Sequence, residues 1–316
     1  MNKKTVLFLG KVFLISIIML AFCAAGHIFY AHYSRSTRNA SYIDKIDRLK
    51  ELSVDGNKAV FIGGSATHFG IHTELFEEKT GIRSVNMGLN AGTSFGLYVD
   101  SIKPYMKEGD VLFLVPEYGY YEEGWYNSTD NNVEFLLYYA PDTKSMVSTT
   151  TLLKYIPSLI TTGWKNFGFY FSDTIRMKLS KNEVYKRTSS NVHGDMIIHK
   201  TLSPSSFQDT LYDFDEYPFV DDLIKSIREF EAKGVIVYLL FPPLNQTSFE
   251  ASEECIHGIW QTISKTGVQT LYEPDETAFP NDSFFDTVYH LNYDSGESFT
   301  EMIIERFIKN SSLNSR

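Results

Sequence analysis

The chain has 316 residues, with 29 Lys+Arg against 39 Asp+Glu and a net charge of −10. That balance argues against a nucleic-acid binder, whose footprint is basic. Hydrophobic residues at 43% and charged residues at 22% exclude a disordered chain or a repeat array. Two cysteines exclude a disulfide-stapled scaffold and a multi-cysteine zinc site.

Residues 1–33 contain Lys3, Lys4 and Lys11 and no acid, which leaves the rest of the chain at −13. From Val12 to Ala31 the sequence is almost wholly apolar, about the ~20 residues that span a bilayer core. Phe29, Tyr30 and Tyr33 stand where an interfacial aromatic belt would lie, and the leading lysines orient the N-terminus inward. A cleaved signal peptide is the competing reading, with Cys23-Ala24-Ala25 as its small-residue site. Both readings place residues 34–316 outside the cytoplasm.

Residues 34–58 carry Ile43, Ile46, Leu49 and Leu52 at helical spacing and read as a linker helix. Apolar runs and amphipathic stretches then alternate. Lys58–Ile62 is a buried strand closed by Gly63-Gly64. Thr67–Thr80 is a helix ending at Gly81. Ile82–Asn86, Asp110–Pro116, Val235–Phe241 and Gln269–Tyr272 are further strands. Gly92–Met106, Phe219–Ala232, Ser252–Lys265 and Asp294–Lys309 are further helices. This alternation predicts an α/β fold, a doubly wound parallel sheet of five strands with helices on both faces.

Residues 118–215 interrupt the alternation and are too long for a loop, so they read as a helical, aromatic-rich cap. A Ser/Thr/Asn-rich mobile stretch is expected from Ser180 to Ser206. The aromatics Tyr118, Tyr120, Tyr121, Trp125 and Tyr126 are either cap core or the lining of a sugar-stacking groove. Leu152–Phe171 is apolar enough to lie on a membrane or against a membrane protein.

In open α/β sheets ligands bind at the carboxyl ends of the strands. Gly63-Gly64-Ser65, Asn86 to Gly92, Pro116-Glu117-Tyr118 and Asp286 to Asn292 all fall at such positions. Taken in order, over residues 59–117 and 219–309, these motifs resemble the SGNH (GDSL-like) hydrolase superfamily, whose sheet is flavodoxin-like. The exported, N-terminally anchored branch is the most similar. It includes the D-alanyl-lipoteichoic acid transfer protein and the alginate O-acetylation proteins. The resemblance implies Ser65 as nucleophile, His290 as base and Asp286 as its orienting acid. It also implies an oxyanion hole from the Ser65 and Gly88 amides, with Asn90 supplying a side-chain amide. The acid lies four residues before His290 rather than the family's three. Pro116-Glu117-Tyr118 stands where the family usually reads Gly-x-Asn-Asp.

A hydroxyl needs a base to become a nucleophile, and an imidazole with an ordinary pKa near ~6.5 can take and return that proton. Each residue also has a plainer reading: Ser65 as a helix cap, His290 as a buried histidine, Asp286 as a turn residue. Glu117, Tyr118 and His68 are substrate-lining candidates. His68 and His72 lack a carboxylate partner at metal-ligand spacing, so neither metal nor cofactor is expected. The implied activity is acyl transfer or ester hydrolysis on an envelope polysaccharide or teichoic-acid-type polymer through an acyl-Ser intermediate. Its partners would be that polymer, the membrane and a multi-pass acyltransferase. The alternative is an inactive module that binds an envelope glycan or scaffolds a membrane O-acyltransferase.

Overall fold

The computed structural model describes residues 2–127, 130–176, 184 and 186–314. The first element, α1 (Lys3–Tyr33), is one helix of 31 residues, long and apolar enough to cross a membrane. A short 3₁₀ turn carrying Arg38 and Asn39 leads into α2 (Ser41–Leu52).

Four strands follow: β1 (Lys58–Gly63), β2 (Arg83–Asn86), β3 (Val111–Val115) and β4 (Ile236–Leu239). They form a wholly parallel sheet in the order β2-β1-β3-β4. The chain steps from β1 to β2 in one direction and from β2 through β3 to β4 in the other. Right-handed crossovers therefore place the helices after β1 on one face and those before β3 (α5, Phe95–Ile102) and β4 on the opposite face. The reversal opens a crevice between the carboxyl ends of β1 and β3, where a ligand site is expected.

The register aligns Phe61, Phe113 and Tyr238 in one row across β1, β3 and β4. Phe61 and Phe113 stack at 4.3 Å between centroids, and Tyr238 continues the row at 5.5 Å. Phe76 of α4 (Thr73–Thr80) and Phe307 of the last helix (Tyr293–Asn314) pack edge-on onto this row. Each aromatic pair of this kind is worth about 0.5–1.5 kcal/mol beyond the area it buries.

Several expectations need correction here. The fifth strand is reduced to a single parallel bridge, Leu239 to Thr270, with the Leu239 amide donating to Gln269 O at 2.9 Å. Beyond it, Pro274 and the reciprocal Glu273–Glu276 capping box turn the chain into a 3₁₀ helix before a ladder can form. A separate two-stranded parallel pair joins β5 (Leu244–Asn245) to β6 (Ala278–Phe279).

The helix expected over Thr67–Thr80 is broken into α3 (Ser65–Gly70) and α4. The Asn86 side-chain amide donates to the carbonyls of Thr67 (2.9 Å) and Ile71 (2.8 Å), taking up acceptors that a continuous helix would use.

The expected linker helix is core. Tyr42, Leu49 and Leu52 of α2 are fully buried within the main hydrophobic cluster, and α2 lies beside β2.

The insertion is helical in its first half. It contains α6 (Gly119–Glu122), α7 (Asp130–Glu134), a π turn (Phe135–Tyr139), α8 (Thr149–Lys154) and α9 (Ile156–Arg176). Four of its aromatics belong to the main core: Tyr118, Tyr120, Tyr121 and Trp125 are buried, and Trp125 and Tyr121 pack on Phe219. They line no sugar groove, because burying them completes the core around α10 (Phe219–Glu231). The stretch expected to be mobile lies partly outside the described residues. Its described part is tied down, with Arg187 ion-paired to Asp44 and Asp195 bound to Thr73 and the Glu74 amide.

Candidate active site at the crevice between β1 and β3

The chain leaves β1 through Gly63-Gly64 and enters α3 at Ser65. A Cβ on Gly64 would lie 2.5 Å from Glu117 Oε1, so only glycine admits that carboxylate beside the turn. Glu117 arrives from the end of β3 and is 4% exposed. Its Oε1 accepts a hydrogen bond from Ser65 Oγ at 3.1 Å and from the Ala66 amide at 2.8 Å. Burial raises its pKa above the ordinary carboxylate value. The Ala66 and Ser65 hydrogen bonds and the positive charge of Arg38 oppose that rise.

His290 reaches the same edge from the loop before the last helix. Its Nδ1 lies 2.6 Å from Asp286 Oδ1. An ionised carboxylate can only accept, so Nδ1 carries the proton and Nε2 is left as the basic nitrogen. The ring stacks face to face on Phe69 of α3, with centroids 3.9 Å apart and planes 5° from parallel. Phe69 lies one helical turn beyond Ser65, so imidazole and serine share one helix. Burial lowers the His290 pKa and the Asp286 charge opposes it, which favours a neutral ring.

Ser65 and Glu117 thus meet at the strand ends, and the Asp286–His290 pair reaches the helix that Ser65 opens through Phe69. The hydroxyl of Ser65 bonds Glu117, and among the described residues no hydrogen bond joins it to His290.

Of the three expected oxyanion donors, the Gly88 amide and the Asn90 side chain are otherwise engaged. The Gly88 amide donates to Asn86 Oδ1 at 2.9 Å, because the neighbouring amides of Met87 and Leu89 extend the pairing with β1 and point Gly88 the other way. The Asn90 side chain donates to Asn39 Oδ1 and accepts from the Thr93 amide, so it braces a turn. A Cβ on Gly88 would lie 2.5 Å from the His68 amide, so this loop packs backbone to backbone against α3.

None of the three substrate-lining candidates is exposed. Glu117, Tyr118 and His68 are all buried. Tyr118 is fixed by its amide donating to Tyr289 Oη, and His68 by Lys45 beneath it.

Lys45 is the residue that sequence reasoning missed. Its ammonium nitrogen lies 2.9 Å from His68 Nδ1 and 2.5 Å from Gly88 O, and the side chain is wholly buried. Burial brings its pKa down to about 7, and burial with the nearby Lys45 charge pushes His68 well below its ordinary value. A signal for it exists. Lys45 falls in the stripe Tyr42, Lys45, Ile46, Leu49, Leu52, where every other member is apolar and buried.

Among the described residues no group of three or more His, Cys, Asp or Glu side chains is arranged to hold a metal. Comparison with protein-family models finds none that matches, and comparison with curated proteins finds no match either.

Proposed function

We propose that the protein is an extracytoplasmic serine acyltransferase or esterase of the SGNH type, held at the cell membrane by α1 as a single span. Its substrate would be an envelope polysaccharide or teichoic-acid-type polymer. The observation that carries this reading is the Asp286–His290 hydrogen bond, with the buried His290 ring stacked on Phe69 of the helix that begins with Ser65. It supplies a neutral imidazole with its basic nitrogen free of the carboxylate.

In the reaction, Ser65 Oγ leaves Glu117, gives its proton to His290 Nε2 and attacks the acyl carbonyl. The tetrahedral adduct collapses by expelling the donor alkoxide, which takes the proton back from the imidazolium. A polymer hydroxyl or water then repeats the sequence in reverse on the acyl-Ser. Asp286 stabilises the imidazolium formed in each half. A membrane location favours transfer, since donor and acceptor would both be held at the envelope.

A second reading has its own observation in support. Glu117 occupies the Ala66 amide beside Ser65, and Asn86 occupies the Gly88 amide, so donors that would stabilise an oxyanion are already satisfied. This favours a non-catalytic module that binds an envelope glycan or scaffolds a membrane O-acyltransferase. Labelling of the full chain by a serine-directed fluorophosphonate separates the two readings. Labelled wild type with unlabelled Ser65→Ala supports the enzyme, and a folded wild type that resists labelling overturns it.

A further inference from the structure

The longest helix of the insertion lies against α1. The two meet where Gly26 faces Gly163: a Cβ on Gly26 would run into the Gly163 carbonyl, and one on Gly163 into Cys23. Around that crossing, His27 Nε2 lies 2.8 Å from Leu159 O, and Phe22 packs on Trp164 and Phe167. His27 Nδ1 lies 2.6 Å from Tyr138 Oη, which pairs the remaining polar atom of the ring. Glycine on both helices, with polar groups satisfied between them, is how helices associate in a bilayer.

Depth follows from length. At ~1.5 Å per residue α1 is about 46 Å long, against a hydrocarbon core of ~30 Å. If the span runs from Val12 to Ala31, the contact from Phe22 to His27 lies in the outer half of the bilayer. If it begins at Val6, the contact lies at the outer boundary. α9 runs antiparallel to α1, so its first turns lie within the outer leaflet in the first frame and at the headgroup boundary in the second.

The surface that α8 and α9 turn outward fits that position. Leu153, Ile156 and Ile160, spaced at i, i+3 and i+7, are 59%, 46% and 42% exposed, and Ile28 and Phe29 of α1 are exposed as well. An apolar hollow of about 120 Å³, lined by Leu136, Leu152 and Ile156, adjoins this surface. Lys144 lines its edge and is exposed, placed to meet anionic headgroups.

We propose that α8 and the first turns of α9 are a second membrane contact, with Leu153, Ile156 and Ile160 buried in the outer leaflet beside α1. This rests on the membrane location of α1 given above but not on any catalytic role. The cap is then seated on the lipid surface, and Arg38 and Asn39, which follow α1 by a few residues, bring one wall of the site close to it.

The test uses the full chain, with Cys23→Ser and Cys255→Ser, reconstituted in phosphatidylcholine–phosphatidylglycerol vesicles. Single cysteines at Phe13, Val54, Ile156 and Ile160 carry an environment-sensitive fluorophore, and doxyl-labelled lipids serve as quenchers. The proposal expects positions 156 and 160 to lose most of their emission, as 13 does, while 54 keeps its own. Quenching at 13 with positions 156 and 160 behaving like 54 overturns the proposal and leaves the anchor standing; a protein partner covering this face would give that result. Absence of quenching at 13 overturns the membrane reading itself.

Discussion

The carboxylate of Glu117 and the hydroxyl of Ser65 are joined by a 3.1 Å hydrogen bond across the ends of β3 and β1. Glu117 accepts the Ala66 amide with the same oxygen, so one buried side chain fixes both the serine and the turn that presents it.

The raised pKa of Glu117 gives this contact a sign. Its folded value lies above the ordinary ~4.5, so the folded chain holds the proton to higher pH than the unfolded chain. The stability from this group is complete below 4.5 and is lost as pH rises through the folded value. Glu117→Gln keeps the shape and removes the titration. Its melting temperature should therefore rise relative to wild type as pH increases above 4.5, read by thermal denaturation from pH 4 to 7. An unchanged difference across that range would show that Glu117 does not titrate there.

His290 behaves oppositely. Its folded pKa is lowered below 6.5, so the unfolded chain takes the proton first as pH falls. Stability from the neutral buried ring is complete above 6.5 and is lost on acidification toward the folded value. In the enzyme reading, the fluorophosphonate labelling rate is flat at neutral pH and declines on the acid side with a midpoint below 6.5.

Asp286→Asn removes the carboxylate that holds the Nδ1 proton. A loss of catalysis on the order of 10⁴-fold accompanies the equivalent change in a Ser-His-Asp triad, where the wrong tautomer is stabilised. A comparable fall in Ser65 labelling, with melting temperature little changed, is the expected result. Full labelling by Asp286→Asn would remove Asp286 from the mechanism.

At the opposite end of the sheet, Lys58 Nζ and Asp110 Oδ2 form a 2.6 Å ion pair with no solvent exposure on either side chain. Asp110 also accepts the amides of Lys58 and Lys107. Asp110→Ala strands a buried ammonium and two amides, and breaking such a pair costs about 3–5 kcal/mol. Chemical denaturation should show that loss, and Lys58→Met with Asp110→Leu together should recover much of it.

Gly26→Val places a branched side chain against the Gly163 carbonyl at the crossing of α1 and α9. The helices should separate without unfolding the sheet. Limited proteolysis within residues 156–168 should accelerate while the melting temperature of the domain stays close to wild type. Unchanged protection of α9 would show that the crossing is not held by this contact.

Much of the fold was legible because buried parallel strands are continuous apolar runs, as in Val111–Val115. The fifth strand was misread for the same reason. Gln269 to Tyr272 has the composition of a strand, but Tyr272 spends its hydroxyl on Phe241 O and Pro274 turns the chain away. The chemistry-bearing residues were legible as types at strand ends. Their partners were not, since hydrogen bonds from Asn86 to Gly88 and from Asn90 to Asn39 depend on which way each amide points.

Local chemistry alone determined the apolar helix at the N-terminus, the alternation of strands and helices, and the order Ser65, Glu117, Asp286, His290 along the chain. These depend on hydrophobic periodicity and residue type, which are properties of neighbouring residues. Only the tertiary structure decided that Glu117 closes over Ser65, that Lys45 lies beneath His68, and that α9 packs on α1 through Gly26 and Gly163. Those contacts join residues 52, 23 and 137 positions apart. Their geometry is set by the crossover at β1 and β3 and by close packing of backbones, neither of which leaves a periodic trace in the sequence.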